Sequence, residues 1–385
     1  MYLNRVAEKT IHQYLSLFPA LGVTGPRQSG KSTLLKHLLQ DYQYVSFDDP
    51  KNIEYFETDP EAFMATYANQ VIFDEVQFVP KLFNYIKIAV DNDRKQYGKF
   101  VLTGSSQFSY LKNVSESLAG RVGLISLLPL TFQEMPKMLL NESIYQGAYP
   151  ELVTRDYYGA ELWFSAYFDT YLNKDVRTLS QIGNMHDFSR FVSLLATNTS
   201  QLLDLSHYAK DLGLSVPTIK RWISVLEASY IIFLLPPYHR NLGKRIIKSP
   251  KVYFYDTGLV SYLTGIKRYE HYDQGPMAGA LFENYIIAEV KKAHLHKASQ
   301  VELYYFRTSD KAEIDLILDY KYSIDFVEIK KSASFSMKFI STLKKYKQTS
   351  NKAFLVYRGE TLSARNDILI LNYKEYLENS GFQSA

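Results

Sequence analysis

The sequence contains no cysteine, and this absence removes two kinds of chemistry at once. Without thiols the chain can form neither disulfide bonds nor thiolate-ligated metal sites. A cysteine-free chain also suits a reducing compartment, so we expect a cytoplasmic protein. Long apolar runs are missing as well, because no segment approaches the roughly 20 apolar residues that a helix needs to span a bilayer. The opening "MYLNRVAEKTIHQYL" has no apolar core followed by a cleavage site, and it therefore predicts no secretory signal.

The chain also lacks a strong net charge. Its formal charge of +4 is weakly basic, which permits nucleic-acid binding without arguing for it. What the chain does have is length and apolar content: 385 residues, 46% of them hydrophobic, with 32 tyrosines that can supply much of a core. This composition is that of a globular protein, and the length predicts two or three domains.

The strongest positive signal is a glycine-rich phosphate-binding loop. The stretch "GPRQSGKST" has the spacing Gly-x4-Gly-Lys-Ser and lies between an apolar run at residues 20–23 and the helix-like "STLLKHLL". Its glycines let backbone N–H groups turn inward on phosphates, and the helix N-terminus adds partial positive charge. We expect Lys31 to reach the β and γ phosphates and Ser32 to ligate Mg²⁺. The loop residues predicted to bind ATP are Gly25, Pro26, Arg27, Gln28, Ser29, Gly30, Lys31, Ser32 and Thr33.

Two further strand ends belong to the same predicted site. The run "QVIFDEVQ" reads as a buried strand that ends in Asp74 and Glu75. Asp74 would hold Mg²⁺ through water, and Glu75 would act catalytically by polarising the attacking water. A third strand, "KFVLTGSS", leads to Ser105, whose hydroxyl would sense the γ-phosphate, although a simple turn explains the same residues. Strands that alternate with helices predict a parallel sheet with its ligand at the carboxyl ends of the strands.

Nucleotide sites of this kind are usually completed by an arginine that neutralises charge in the transition state. The stretch "ESLAGRVGLISLL" offers Arg121 at the start of a strand, and "YLNKDVRTL" offers Arg177. Arg121 is the stronger candidate, and it would act either in its own chain or from a neighbouring subunit. A plain surface cation is the alternative interpretation for both.

The order of these motifs resembles a known family. The series "GPRQSGKST", "VIFDEVQ", "LTGSSQF", "ESLAGRV", "GAYPE" and "YLNKDVRTL" is similar to that of bacterial and archaeal AAA-type P-loop ATPases with a C-terminal DUF4143 region. The resemblance implies an α/β fold that begins with an AAA-type ATPase domain of the additional-strand class, built on a parallel sheet. A helical linker, a winged helix and an α/β restriction-endonuclease-like domain similar to PD-(D/E)XK nucleases would follow. We expect these parts at residues 1–150, 151–200, 201–270 and 271–385.

The middle of the chain predicts a helix-turn-helix. Apolar residues at helical spacing from 205 to 212 precede a turn at Gly213, and Ser215 is placed to cap a second helix. The second helix would bury its apolar face and turn Lys220 and Arg221 outward, as a helix that reads a DNA groove requires.

The segment after this second helix looks like a basic β-wing. Cations this dense would neutralise several phosphates, and Tyr238 would pack against a sugar or base. Winged helices also serve as protein docking surfaces, so a protein partner is the alternative interpretation. The basic residues of the wing are His239, Arg240, Lys244, Arg245, Lys248 and Lys251.

The stretch "AEIDLILDYKYSIDFVEIKKS" reads as two short strands joined by a tight turn. Because side chains alternate faces along a strand, opposed residues on two paired strands project on the same face. With the turn centred between Lys321 and Tyr322, Asp315 lies directly across from Glu328, about 5 Å away. A slip of one residue would destroy this arrangement.

These residues have the chemistry of a Mg²⁺-dependent phosphodiesterase. Asp315 and Glu328 would hold the metal, and Lys330 would orient or activate water and stabilise the pentavalent charge. Glu283, on an apolar face of the preceding helix, is an acid that needs a partner, and the resemblance to PD-(D/E)XK nucleases assigns the same four catalytic residues. Two alternatives stay open: each acid alone is explained by a solvated strand end, and such a fold can keep these residues as a binding platform without cleavage. Arg307, on the strand before the hairpin, is either a phosphate contact or an edge cation.

The sequence therefore predicts a Mg²⁺-dependent protein that binds and hydrolyses ATP and acts on DNA through a winged helix and a nuclease-like domain. The alternative is a nucleotide-switched protein-interaction module with an inactive nuclease-like fold. The residues leave metal-dependent deoxyribonuclease activity open. ATP and DNA are the predicted partners, a homo-oligomer is a further candidate, and no membrane partner is expected.

Overall fold

The computed structural model describes residues 2–104, 118–172, 185–239, 248–347 and 351–380. Within these ranges, no helix combines the length and the apolar character needed to cross a membrane. Several residues singled out in the sequence lie outside the described ranges: Ser105, Arg177, Arg240, Lys244 and Arg245.

The N-terminal region is built on a five-stranded sheet flanked by helices. The strands are β1 (Ala20–Thr24), β2 (Gln43–Ser46), β3 (Val71–Asp74), β4 (Phe100–Gly104) and β5 (Val122–Ser126). The helices are α1 (Ala7–Leu15), α2 (Lys31–Leu38), α3 (Pro50–Thr58), α4 (Pro60–Thr66) and α5 (Leu82–Asn92). Every residue of β1, β3 and β4 is buried, as expected for strands covered on both faces.

The topology of this sheet brings the predicted nucleotide motifs to one edge. The strand order is β2-β3-β4-β1-β5, and all of its pairs are parallel. The strand β4 therefore lies between β1, which precedes the glycine-rich loop, and β3, which ends in the acid pair. The parallel sheet is confirmed, and the inserted strand agrees with the additional-strand arrangement that the motif order implies.

The middle region is mainly helical. Its helices are α6 (Ser143–Gln146), α7 (Pro150–Val153), α8 (Ala160–Ala166), α9 (Met185–Thr197), α10 (Leu205–Leu212), α11 (Val216–Ala228), α12 (Thr257–Thr264) and α13 (Tyr269–Asp273). Two antiparallel strands pair between α11 and α12, and they are β6 (Ile232–Leu235) and β7 (Lys251–Phe254).

The helices α10 and α11 form the predicted helix-turn pair. Gly213 ends α10 in the left-handed conformation with φ 67°, and Ser215 Oγ accepts a hydrogen bond from the backbone N–H of Thr218 at 3.2 Å. Lys220 and Arg221 are exposed on α11, as predicted. The helices and their caps are thus confirmed, while the winged-helix fold of this segment and its function stay predictions.

The C-terminal region holds a long buried helix and a mixed sheet. Its elements are α14 (Ala278–His296), β8 (Glu302–Arg307), β9 (Glu313–Asp319), β10 (Ile324–Lys330), α15 (Ser341–Tyr346), β11 (Lys352–Tyr357), β12 (Leu362–Arg365), β13 (Ile368–Asn372) and α16 (Tyr373–Glu375). The strand order is β12-β13-β11-β10-β9-β8. The strands β8, β9 and β10 are antiparallel neighbours, whereas β10, β11 and β13 run parallel.

The hairpin of β9 and β10 has the register predicted from its turn. The pairing of Ile324 with Asp319 continues along the hairpin without a slip. The last pair of this ladder is Val327 with Leu316, directly before Glu328 and Asp315, and the backbone N–H of Ile329 donates to Asp315 Oδ2 at 2.8 Å. The acid on β9 is therefore fixed against the backbone of β10.

The middle and C-terminal regions share one hydrophobic core. One large cluster of buried side chains, drawn from both regions between Leu128 and Leu377, contains most of α14, while a second cluster lies on the other face of the C-terminal sheet. The N-terminal sheet has two clusters of its own, formed by alternate residues of its strands and so by its two faces. The helix α14 also contacts β5, which joins the shared core to the nucleotide-binding sheet.

Candidate functional site

Two glycines shape the phosphate-binding loop between β1 and α2. Gly25 has φ +144°, and a Cβ at this position would lie 2.0 Å from the carbonyl oxygen of Leu127, so that only glycine fits. Gly30 has φ +91° and caps α2 in the left-handed conformation. These two backbone requirements explain the glycine spacing of the motif.

Lys31 closes this loop from the first turn of α2. Its buried Nζ donates hydrogen bonds to the carbonyl oxygens of Gly25 and Pro26, each at 2.9 Å. The Oγ of Ser29 is buried and has no hydrogen-bond partner among the described residues. Buried polar groups are normally satisfied, so an ammonium and a free hydroxyl in one small loop fit an anionic ligand.

The other predicted loop residues complete the turn around this position. Arg27 and Gln28 form the turn itself, and Gln28 adopts a left-handed conformation with φ 58°. Thr33 is exposed in the first turn of α2. The structure therefore gathers the whole predicted loop at the amino end of one helix, where backbone N–H groups favour phosphate.

Asp74, at the end of β3, is surrounded by hydroxyl groups. Its Oδ2 accepts a hydrogen bond from Ser32 Oγ at 2.9 Å and another from the hydroxyl of Tyr44. Its Oδ1 accepts a hydrogen bond from the hydroxyl of Thr103 on β4. Carboxylate and hydroxyl oxygens are ligands that Mg²⁺ prefers, so Ser32 and Asp74 have the donor chemistry for the ion that accompanies ATP.

Glu75 follows Asp74 in a left-handed backbone conformation, with φ 57° and ψ 44°. This conformation costs a non-glycine residue about 1–2 kcal/mol, and such strain is concentrated at functional sites. Its backbone N–H donates to Thr103 Oγ1 at 3.4 Å, and its carboxylate accepts a hydrogen bond from Gln77 Nε2. The half-buried carboxylate of Glu75 therefore lies at the edge of the sheet that carries the phosphate-binding loop. Its predicted action on the attacking water requires this position.

Arg121 does not reach the loop of its own chain. It stands directly before β5, at the amino ends of the parallel strands, whereas the loop follows the carboxyl end of β1. Its guanidinium forms two hydrogen bonds with the carboxylate of Asp91 on α5, at 2.7 and 3.0 Å. These bonds lower the pKa of Asp91 to about 2. The structure thus places Arg121 away from the loop of its own chain, and its predicted contact with nucleotide, in its own chain or from a neighbouring subunit, stays a prediction.

Arg5 contacts the loop although no sequence motif indicates it. Its guanidinium donates to the carbonyl oxygens of Ser29 at 2.8 Å and Leu128 at 2.6 Å. Its Nε lies 3.1 Å from Glu134 Oε2, and both side chains are almost completely buried. Burial favours the neutral acid, but the charge of Arg5 and the hydrogen bond from the backbone N–H of Thr131 outweigh it and lower the pKa of Glu134 to about 2. The loop backbone is thereby tied to the segment after β5.

Tyr230, directly after α11, makes a second contact that sequence motifs do not indicate. Its hydroxyl lies 2.7 Å from Thr24 Oγ1 and 3.0 Å from Ser126 Oγ. These two partners are the last residues of β1 and β5. The middle region therefore touches the strand end from which the phosphate-binding loop starts.

A second candidate site lies between α14 and the β9–β10 hairpin. We call it the carboxylate cluster, and it consists of Glu283, Glu313, Asp315 and Glu328.

Lys330 links two of these acids, as the sequence predicts. Its Nζ lies 2.6 Å from Glu328 Oε1 and 3.5 Å from Asp315 Oδ2. Burial and the charge of Asp315 raise the pKa of Glu328 well above its ordinary value. The Oε2 of Glu328 is buried and has no hydrogen-bond partner among the described residues. The structure thus brings Asp315, Glu328 and Lys330 together on one face.

Glu283 lies in the same cluster but is bound to another cation. Its Oε1 accepts hydrogen bonds from Lys251 Nζ at 2.9 Å and from the hydroxyl of Tyr253 at 2.7 Å, both on β7. Lys251 also contacts Glu313, whose Oε2 lies 3.3 Å from a guanidinium nitrogen of Arg307. This ion pair favours the interpretation of Arg307 as an edge cation.

The expected arrangement, in which Asp315 and Glu328 hold a metal and Glu283 completes the catalytic set, does not fit this geometry. Asp315 and Glu328 converge on Lys330, while Glu283 is held by Lys251. Across the part of the chain that the structure describes, no group of three or more acidic or histidine side chains is arranged to hold a metal ion. No catalytic step through a metal at the cluster follows from this arrangement.

Two residues predicted for the basic wing are buried instead. Lys251 is 2% exposed within the carboxylate cluster, and Tyr238 is 5% exposed. The ring of Tyr238 packs against Tyr304, with 5.5 Å between ring centroids. Their predicted contacts with DNA are wrong, because neither side chain reaches the surface. His239 and Lys248, in contrast, are exposed.

Family comparisons divide the chain into three matched segments. Residues 18–136 match the AAA domain family. The N-terminal region thus matches the AAA domain family, and its parallel sheet and glycine-rich loop resemble those of P-loop ATPases. Residues 278–376 match a domain of unknown function, DUF4143, and residues 137–270 match another, DUF8612. Both families expected from the motif order are thus found, one at each end of the chain.

Relatives with curated sequences extend over most of the chain. The "Uncharacterized protein Rv2008c" of Mycobacterium tuberculosis is 28% identical over 336 residues, which cover 87% of this chain and 75% of that protein. A protein of Haemophilus influenzae is 25% identical over 283 residues, which cover 64% of this chain and 69% of its own.

Solved structures show a partial likeness. The Walker-type ATPase PABY2304 of Pyrococcus abyssi is 14% identical with a TM-score of 0.45, and the match covers 67% of this chain and 94% of that one. AMPPCP-bound DnaA from Aquifex aeolicus is 14% identical with a TM-score of 0.30, over 58% of this chain and 84% of its own. The assignment of the AAA domain rests on the family match and on the geometry of its own loop and sheet.

Proposed function

We propose that the AAA domain binds ATP and hydrolyses it in a Mg²⁺-dependent reaction. The observation that carries this proposal is the meeting of Lys31, Ser32 and Asp74 at one edge of a parallel sheet. Ser32 and Asp74 would hold Mg²⁺, which would neutralise phosphate charge when bound. Lys31 would exchange the loop carbonyls for the β and γ phosphates of ATP.

The other residues of the site would position water and phosphate. Glu75 would orient and polarise the attacking water. Thr103 holds Asp74 and the backbone of Glu75 through its hydroxyl. The N–H groups of the loop and the first turn of α2 would bind phosphate oxygens. Ser105 follows β4 directly, and its γ-phosphate contact stays a prediction.

Steady-state ATP hydrolysis in the presence of Mg²⁺ tests this proposal. Lys31→Ala should abolish turnover, and Glu75→Gln should reduce it by about 100-fold while a fluorescent ATP analogue still binds. Lys51→Ala removes an exposed lysine of α3 and should behave like the parent. Normal hydrolysis by Lys31→Ala would overturn the proposal.

We further propose that the protein acts on DNA through a winged helix and a nuclease-like C-terminal domain. The supporting observation is that Lys220 and Arg221 point outward from the second helix of the helix-turn pair. His239 and Lys248 add exposed cations between β6 and β7. Contacts of this kind bind phosphates through charge, so the affinity for DNA should depend strongly on salt.

Binding of duplex DNA at several salt concentrations tests the proposed interface. The double variant Lys220→Ala/Arg221→Ala should flatten the slope of log affinity against log salt by about 2, because two phosphate contacts are lost. The control Lys344→Ala/Lys345→Ala removes two exposed charges from α15 and should keep the parent slope. Equal slopes for the two double variants would contradict DNA binding by α11.

The carboxylate cluster favours a second function. Its acids are already paired with lysines of the same chain, which is the state expected of a nucleotide-switched protein-interaction module with an inactive nuclease-like fold. Cleavage of supercoiled and linear DNA with Mg²⁺ or Mn²⁺, with and without ATP, separates the two functions. Cleavage that is lost in Asp315→Ala and Lys330→Ala supports a nuclease, whereas no cleavage under any of these conditions favours the interaction module.

A further inference from the structure

Lys251 enters the carboxylate cluster from outside the region that carries the acids. It is the first residue of β7 in the middle region, whereas Glu283 and Glu313 belong to the C-terminal region. Its side chain is 3% exposed, and its Nζ lies 2.9 Å from Glu283 Oε1 and in contact with Glu313. Lysine is almost never buried to this extent without a partner, and here one ammonium serves two acids.

The ammonium of Lys251 is charged in this position. It is held between two carboxylates, with Glu283 Oε1 at 2.9 Å and Glu313 of β9 in contact. A buried ammonium and a divalent cation compete for the same carboxylate oxygens, because both require close negative charge. Lys251 therefore occupies Oε1 of Glu283, an oxygen that a metal would use.

The acids of the carboxylate cluster pair with two lysines that belong to different regions of the chain. Lys330 stands on β10 beside Glu328 and serves the acids of the hairpin. Glu283 instead receives both of its hydrogen bonds from β7, from Lys251 and Tyr253. These two residues lie on the same face of β7, because side chains alternate along a strand. The position of β7 thus decides whether Glu283 is available to the hairpin acids.

We propose that Lys251 is a positioning residue that withholds Glu283 from Asp315 and Glu328 and keeps the affinity of the cluster for divalent cations low. The proposal rests on the nuclease-like role proposed above, because it takes Asp315 and Glu328 as the acids that first engage a metal. The middle region thereby controls a site whose acids all lie in the C-terminal region.

Binding of Mn²⁺ to the full-length protein without nucleotide tests this proposal. The measurement combines titration calorimetry with the electron paramagnetic resonance signal of free Mn²⁺. Lys251→Met removes the ammonium and should bind Mn²⁺ at least about 10-fold more tightly than the parent. Lys248→Met removes an exposed lysine near the same strand and should leave the affinity unchanged. Adding Glu283→Gln to Lys251→Met should remove the gain.

A second pair of variants covers the case in which Lys251→Met does not fold. Lys251→Gln can still hydrogen-bond to Glu283 and Glu313 and should show the same direction of change in Mn²⁺ affinity. Lys251→Arg keeps the positive charge and should bind Mn²⁺ as weakly as the parent. Parent-like Mn²⁺ affinity in the folded neutral variants would overturn the proposal, as would a gain that survives Glu283→Gln.

Asp315→Asn separates this proposal from the function on which it rests. In the Lys251→Met background, Asp315→Asn should abolish the gained Mn²⁺ binding. If the parent already binds Mn²⁺ tightly and loses it in Asp315→Asn, only the role of Lys251 fails. If Mn²⁺ binding by Lys251→Met is indifferent to Asp315, the cluster is not a metal site and the nuclease-like role fails with it.

Discussion

The nucleotide site and the carboxylate cluster both gather acids and a lysine at strands of a sheet, but they balance the charge of the acids differently. In the nucleotide site, Asp74 accepts hydrogen bonds from the hydroxyls of Ser32, Tyr44 and Thr103. The ammonium of Lys31 does not pair with Asp74 and instead donates hydrogen bonds to carbonyl oxygens of the loop. Hydroxyl groups solvate a carboxylate without neutralising it, so the charge of Asp74 is available to a divalent cation.

In the carboxylate cluster the counter-charge is part of the chain. Lys330 lies between Glu328 and Asp315, and Lys251 binds Glu283. The difference teaches that acids and a lysine in the correct register do not suffice for a metal site. What decides the chemistry is the group that each acid already holds.

Removing the built-in cation should have the largest effect on stability. Lys251→Met removes the buried ammonium from the half-buried acids Glu283 and Glu313, and we expect it to lower the free energy of unfolding by about 3 kcal/mol. Denaturant unfolding followed by circular dichroism measures this loss. Lys248→Met, at an exposed position, should stay within about 0.5 kcal/mol of the parent. Equal free energies of unfolding for Lys251→Met and Lys248→Met would mean that the ion pairs of Lys251 do not stabilise the carboxylate cluster.

Neutralising one acid in each site should have different effects on the rate of ATP hydrolysis. Asp74→Asn removes the charge that would accompany Mg²⁺, and we expect it to reduce the kcat of ATP hydrolysis by about 100-fold, equivalent to about 2.7 kcal/mol. Asp315→Asn should leave the same kcat unchanged, because its charge is balanced within the C-terminal region. A comparable loss in both variants would show that the two sites are not independent.

The helix that joins the two sites should show a pH-dependent stability. Burial lowers the pKa of His294, near the end of α14, from 6.5 to about 4. The unfolded chain therefore binds a proton in a pH range where the folded chain does not, and stability falls as pH falls through this window, by up to about 1.4 kcal/mol per pH unit. His294→Leu should flatten the decrease of the thermal midpoint below pH 6.5. The exposed control His271→Leu should keep the parent slope.

Removing the contact between the middle region and the nucleotide site should have the smallest effect on the free energy of unfolding. Tyr230→Phe removes the hydroxyl that meets Thr24 and Ser126, and we expect a loss of about 1 kcal/mol in the free energy of unfolding. Tyr158→Phe is the matched control, since Tyr158 is 86% exposed. If both variants unfold at the same denaturant concentration as the parent, the Tyr230 hydroxyl does not stabilise this junction.

Much of the nucleotide site is predictable from the sequence because its residues are local. Lys31 and Ser32 stand in one short loop, and Asp74 ends a strand of the same parallel sheet. The topology that brings these residues together also explains where Arg121 lies. A residue that precedes a parallel strand lies at the edge opposite the ligand. The position of Arg121 directly before β5 in the sequence therefore indicates the edge of the sheet at which it lies.

Only one part of the carboxylate cluster, the hairpin, can be predicted from the sequence. The tight turn fixes the register of the hairpin, so the meeting of Asp315 and Glu328 follows from the sequence. The partner of Glu283 does not follow, because Lys251 comes from a strand of another region and stands in a basic stretch that resembles a solvated surface. Arg5 is unpredictable for the same reason: its partners are brought to it by tertiary packing over more than 100 residues of chain.

The most direct measurement is Mn²⁺ binding by the parent protein in the presence of a non-hydrolysable ATP analogue. We predict a tight Mn²⁺ site that is lost in Asp74→Asn and kept in Asp315→Asn, because hydroxyls solvate the charge of Asp74 without neutralising it, whereas a lysine balances that of Asp315. Tight binding that is lost in Asp315→Asn and kept in Asp74→Asn would contradict the difference between the two sites.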